Sequence, residues 1–199
     1  MQRWWQVCGV VVLLGAGCDS TPPVSTDPPV PVAVPEQPAA ESSQAAAAPS
    51  SVATEATISG FKFQVPAGWR QAELSPAQQG FVDARFEIPR HGDDVKLTLS
   101  TISGGVDANI ERWIGQFQLP EGTLPDSETL EVDGIPVTLI ELSGEFQGMG
   151  QEPQSGWGML GAAYAGAPRD FYIKLTGPSA AIAELREEFR TFVTSAKRQ

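Results

Sequence analysis

Apolar and polar residues alternate with a period of two in three stretches of the chain. Phe61, Phe63 and Val65 alternate with Lys62 and Gln64. Val82, Ala84, Phe86 and Ile88 alternate with Asp83, Arg85 and Glu87, and Val95, Leu97 and Leu99 with Lys96, Thr98 and Ser100. Successive side chains of a strand point to opposite faces, so each stretch predicts a half-buried strand. The turn residues Pro89 to Asp94 join the second to the third as a hairpin. The period then changes. Ile110, Trp113, Ile114 and Phe117 fall at i, i+3, i+4 and i+7, which predicts an amphipathic helix with Asp107 as its cap and Pro120 and Gly122 at its end.

Strand patterns resume at Leu130. Asp133-Gly134 between two apolar runs suits a type I′ turn and predicts a hairpin running to Ile140. A Gly-rich loop follows, from Gln147 to Gly156, and then two strand candidates, Trp157 to Ala165 and Phe171 to Thr176. Pro178 and Ser179 open a last helix, in which Ile182, Leu185, Phe189, Phe192 and Val193 keep helical spacing. Blocks of strands joined by tight turns, punctuated by two helices, predict an α+β domain. Its core is an antiparallel sheet of about six to seven strands with two main helices packed on it. The alternating strands look polar on one face, which leaves open whether the sheet is covered on both faces.

Upstream of residue 54 the pattern is different in kind. Arg3, an apolar run beginning at Val7 and the small residues Gly15, Ala16 and Gly17 precede Cys18, the three-part layout of a secretory signal peptide. That run is about half the roughly 20 residues that a membrane-spanning helix needs. Leu13-Leu-Gly-Ala-Gly-Cys18 resembles a bacterial lipobox, with Gly15 where the lipobox carries leucine. The resemblance implies a lipid on Cys18 and attachment to the non-cytoplasmic side of an inner or outer membrane. Ordinary signal peptidase cleavage after Gly17 is the alternative and yields a secreted product. The two cysteines are Cys8 and Cys18, so residues 54–199 hold neither a disulfide nor a thiol. Three segments result: 1–17 as signal peptide, 18–53 as a tether, and 54–199 as one domain. The tether is rich in Pro, Ala, Ser and Thr, has no aromatic residue and is expected to take no fixed fold. Prolines at 22, 23, 28, 29, 31, 35 and 38 favour extended stretches, for a reach on the order of 100 Å.

Phe61-Lys-Phe-Gln-Val-Pro-Ala-Gly-Trp69 resembles the opening strand of PsbP-like domains, including bacterial envelope lipoproteins of the DcrB kind. Phe171-Tyr-Ile-Lys-Leu-Thr-Gly-Pro178 with the helix after it is similar to their closing strand and helix. The resemblance implies an αβα sandwich and names no activity, because the family shares none.

Charge and candidate chemistry narrow the function further. The whole chain stands at −11, and removing the lone cation of residues 1–17, Arg3, takes it to −12. Nucleic acid and anionic membrane surfaces both want a basic patch and are poor partners for such a chain. His91, the single histidine, is expected as a solvated turn residue, and no Gly-x-Ser-x-Gly, phosphate loop or His/Cys metal cluster is present. Asp93 and Asp94, with Asp83 or Glu87, are the remaining source of oxygen ligands for a cation, but they lack EF-hand spacing. No catalytic residue, metal site or cofactor is therefore assigned. Glu184, Glu187 and Glu188, interleaved with Arg186 and Arg190, read as the solvated face of the last helix.

The candidate binding residues are Phe146, Met149 and Trp157, large apolar side chains set around the Gly-rich loop, together with Trp69. The expectation is a non-enzymatic envelope lipoprotein whose domain binds another envelope protein. The alternative is a domain that holds a small or lipidic ligand.

Overall fold

The computed structural model describes residues 53–148, 150, 152–166 and 169–199. The signal segment, Cys18, the tether as far as residue 52, and Met149 lie outside the described residues.

Among the described residues eleven strands and two α-helices follow one another. The first strands are β1 (Thr54–Ile58), β2 (Phe61–Val65), β3 (Arg70–Ala72), β4 (Ala84–Glu87) and β5 (Lys96–Thr101). Helix α1 (Val106–Ile114) leads into β6 (Phe117–Gln118), β7 (Asp126–Val132), β8 (Ile135–Phe146), β9 (Gln154–Tyr164) and β10 (Phe171–Pro178). Helix α2 (Ser179–Thr194) and the short β11 (Lys197–Arg198) close the order.

Eight of these strands form one antiparallel sheet in the order β3-β4-β5-β10-β9-β8, with β6 and β7 both paired to the outer side of β8. Asp133 and Gly134 take φ of 51° and 75°, the type I′ geometry that sets the β7–β8 register. The α+β architecture read from the sequence is the one observed, with a fuller sheet. The opening strand is placed differently. β2 leaves the main sheet and forms a separate three-stranded sheet, β1-β2-β11.

The main sheet has a core on each face. On one side Phe61, Phe63 and Val65 of the small sheet join Leu185, Phe189 and Phe192 of α2 over Leu97, Leu160, Ile173 and Leu175. On the other, Trp113 of α1 joins Ile140, Leu142, Phe146, Met159 and Tyr172. α1 approaches closely at Gly161, where any side chain would collide with the Trp113 ring. The central strands β9 and β10 are thus buried on both faces, whereas Glu87 and Lys96 at the β4–β5 end stay exposed. The second face is covered over its middle and β8 side only, and the alternation of β4 and β5 reflects this.

Helix α1 is shorter than its apolar spacing suggests. Gly105, not Asp107, occupies the capping position, and Asp107 lies in the first turn, where its charge complements the helix dipole. The helix stops before Gly115, so Phe117 belongs to β6, pairing with Phe146 across to β8. No helix among the described residues is long and apolar enough to cross a membrane.

Candidate functional site

The three sequence candidates among the described residues, Phe146, Trp157 and Trp69, do not form one site. Phe146, buried at the end of β8, stacks on the half-buried Trp157 of β9 at 5.8 Å and 13° between ring planes. Phe117 lies 5.0 Å from the same ring. Lys174 of β10 places its Nζ 5.4 Å from the Phe146 centroid and donates to Gln116 Oε1 at 2.5 Å. Burial pulls this ammonium down to a pKa of about 8. Trp69 belongs to the opposite core, where its ring meets Phe192 at 5.3 Å and its Nε1 donates to Glu188 Oε2 at 2.9 Å. Phe146 and Trp157 therefore come together, and Trp69 sits across the sheet from them.

His91 differs from its expectation. It closes a 3-10 turn, Pro89–His91, that folds back on α2, so its side chain is 11% exposed and lies 3.8 Å from Glu184. Asp83 accepts hydrogen bonds from Ser59 and Thr101, and Glu87 accepts one from Arg85. Among the described residues no three His, Cys, Asp or Glu side chains converge as a metal-holding group.

One concavity involves none of these residues. A groove of about 610 Å³ opens between α2, the β7–β9 surface and the 119–125 connection. Its origin lies in the edge of the sheet. β6 pairs with the outer side of β8 at Glu145 and Phe146, β7 pairs with it from Glu141 back to Ile135, and Leu142, Ser143 and Gly144 have a strand only on their inner side, β9. The chain crosses β8 so closely at Gly144 that any side chain there would meet the Gln118 carbonyl; it then swings outward through Pro120 and Pro125. Leu139, Leu142, Leu160 and Phe189 give the groove an apolar lining. Leu124, 86% exposed, stands on the connection beside them.

Two guanidinium–carboxylate pairs tie α2 to the strands along this groove. Arg186 donates to Glu141 through Nε at 2.8 Å and Nη2 at 2.6 Å. Arg190 donates to Glu128 through Nη1 at 2.7 Å and Nη2 at 2.9 Å. The hydrogen bonds from Arg190 hold the Glu128 carboxyl below its ordinary pKa, and those to Glu141 raise that of Arg186. Two-point geometry of this kind fixes the helix against the sheet edge, a role beyond that of the solvated face read from the sequence.

A shallower depression of about 500 Å³ borders the Gly-rich loop, lined largely by polar groups such as Gln118, Glu145 and Ser155 and by glycines. It offers few apolar contacts. The sequence marks only one residue of the larger groove's rim, Leu124, which is apolar and stranded among turn formers in Gly122-Thr-Leu-Pro125, and nothing in the sequence places the groove itself.

No family model matches the chain, and no curated protein matches it. Among solved structures it is similar to the solution structure of cyanobacterial PsbP (CyanoP) from Synechocystis sp. PCC 6803, at 15% identity and a TM-score of 0.49, over 75% of this chain and 94% of that one. It is also similar to the crystal structure of PA94 from Pseudomonas aeruginosa, a protein of unknown function described as a putative regulator. That match has 11% identity and a TM-score of 0.38, over 74% of this chain and 98% of that one.

Proposed function

We propose that this chain is a lipid-anchored protein of the bacterial envelope whose PsbP-like domain binds a segment of a partner protein and catalyses no reaction. The observation that carries the reading is the groove at the interrupted sheet edge. It has an apolar lining, stays open along the 119–125 connection, and leaves Leu124 almost wholly in water. A large exposed apolar side chain beside an apolar groove is the usual mark of a recognition surface. The volume also falls within the roughly 300–1,000 Å³ of small-ligand sites, which keeps a lipidic ligand as the second reading.

A photo-crosslinking residue at Leu124 in intact cells captures the partner, and the same residue at the exposed Phe81 serves as control. The purified partner then binds the Leu124→Asp variant about tenfold more weakly than wild type, the loss expected when a buried leucine contact is replaced by a carboxylate. Equal capture from both positions, or an unchanged affinity, removes the groove from consideration.

What supports the anchored location is Arg3, the apolar run and the small residues before Cys18. Cys18→Ser moves the protein from the membrane pellet to the soluble fraction, because stable anchoring takes about two acyl chains and the variant has none. Retention of the variant in the pellet would show that something other than a lipid on Cys18 holds it.

A further inference from the structure

Resting on the groove reading above, we infer that the partner segment is cationic: an extended stretch in which Leu, Val or Ile is flanked by Lys or Arg. Four carboxylates, Asp126, Glu128, Glu141 and Glu187, line the groove against two guanidiniums, Arg186 and Arg190. Both guanidiniums are committed in two-point pairs to Glu141 and Glu128. Among the described residues the side chains of Asp126 and Glu187 make neither a hydrogen bond nor a close ion pair, both are exposed, and they act on the two guanidiniums only at a distance. The unmatched charge beside the apolar lining is therefore negative, and the whole chain at −11 adds to the field. An anionic amphiphile meets repulsion there and finds its natural partners, the two arginines, already held. A segment carrying Lys or Arg beside its apolar residues satisfies the lining and the rim together.

The shape calls for an extended chain. Leu142 and Ser143 have no strand on the outer side of β8, and the groove opens at that gap between the footprints of β6 and β7. A segment lying along it sets alternate side chains against Leu139 and Phe189 and turns the others toward the carboxylates.

The test uses the full chain carrying Cys18→Ser and three fluorescent twelve-residue peptides, alternating Leu with Lys, Leu with Glu, and Thr with Lys, with dodecanoate as a fourth probe. The Leu/Lys peptide should bind at least about tenfold more tightly than the Leu/Glu peptide at low salt. That margin should shrink in 1 M salt, where the screening length falls to about 3 Å. The Thr/Lys peptide, lacking apolar groups, should bind weakly at any salt. Asp126→Lys with Glu187→Lys, two exposed changes, should reverse the preference between the first two peptides while leaving the melting temperature unchanged. Equal binding of Leu/Lys and Leu/Glu peptides overturns the charge assignment and leaves the groove reading standing. If no peptide binds, or if Leu124→Asp binds all of them as wild type does, the groove reading falls as well. Saturable binding of dodecanoate with no binding of peptide makes the site a lipid site and overturns both.

Discussion

Phe192→Ala costs the domain about 3–5 kcal/mol, the range for emptying a buried phenylalanine site. Typical domain stabilities are about 5–15 kcal/mol, so this is a large fraction of the total. The side chain is fully buried, and its ring lies 4.9 Å from Phe63, 5.3 Å from Trp69 and 5.9 Å from Phe86. These neighbours come from the small sheet, the connection after it and strand β4 of the main sheet. α2 thus fastens three separate parts of the fold through one ring. Relaxation around the cavity is limited, since each neighbour is itself held by others: Phe63 by Phe61 and Phe171, Trp69 by its bond to Glu188. Urea unfolding followed by tryptophan fluorescence measures the loss. A value below about 1 kcal/mol would mean that the neighbours collapse into the space and that the ring is no junction.

The second large effect is a dependence of stability on alkaline pH. Lys174 titrates at about 8 in the folded domain because burial disfavours its charge, against 10.5 for the ordinary side chain. Between those values the unfolded chain binds a proton that the folded one has released, so stability rises as pH increases through the window. Each unit of difference is worth about 1.4 kcal/mol, which puts the rise at roughly 3 kcal/mol. Tyr164 acts in the opposite sense at the top of the range. Its burial raises its pKa, so above about pH 10 the unfolded tyrosine ionises first and stability falls again. Denaturation midpoints measured from pH 7 to 11 should therefore peak near pH 10. In Lys174→Met the rise from pH 8 should vanish and the fall should remain. At pH 7 the variant gains less than the full figure, because Gln116 Oε1 loses its donor. A variant that keeps the wild-type slope would assign the titration to another group.

How far the sequence carries can be judged residue by residue. Asp133-Gly134 announces its hairpin because φ above zero at both positions is costly for most other residues, and both positions have it. The core stripe of α2 is equally plain, since Ile182, Leu185, Phe189, Phe192 and Val193 are all buried. Phe117 misleads for a physical reason. It buries against Phe146 from a strand position that happens to keep helical spacing with Trp113, and the break at Gly115 carries no sharper signal than any single glycine. β1 escapes notice because Thr54, Glu55 and Thr57 all face water, leaving only Ile58 deeply buried. The departure of β2 into a second sheet is invisible to periodicity, which reports that a face is buried but not by what.

The groove was beyond reach for a different reason. Its lining comes from residues 119–128, 139–143, 160–161 and 186–190, which only the sheet order brings together. The Arg186 and Arg190 pairs looked like helix-surface charge because their partners, Glu141 and Glu128, are 45 and 62 residues away. Phe146 and Trp157 stand out in the sequence by size and by their Gly-rich surroundings, and these features mark packed aromatic residues as readily as exposed ones.

β10 gives the sheet a particular assembly order. It is the strand between β5 and β9, and it pairs Phe171 with Thr101 on one side and with Tyr164 on the other. Until residues 171–178 have been synthesised, β3–β5 and the β6–β9 group are two unjoined pieces, each with an open edge. Pairings of such sequence separation close slowly, and unpaired edges invite association with other chains. A nascent chain, emerging N-terminus first, therefore spends most of its synthesis unable to complete its main sheet. The open edges of both pieces stay available for association until its last strand and helix arrive.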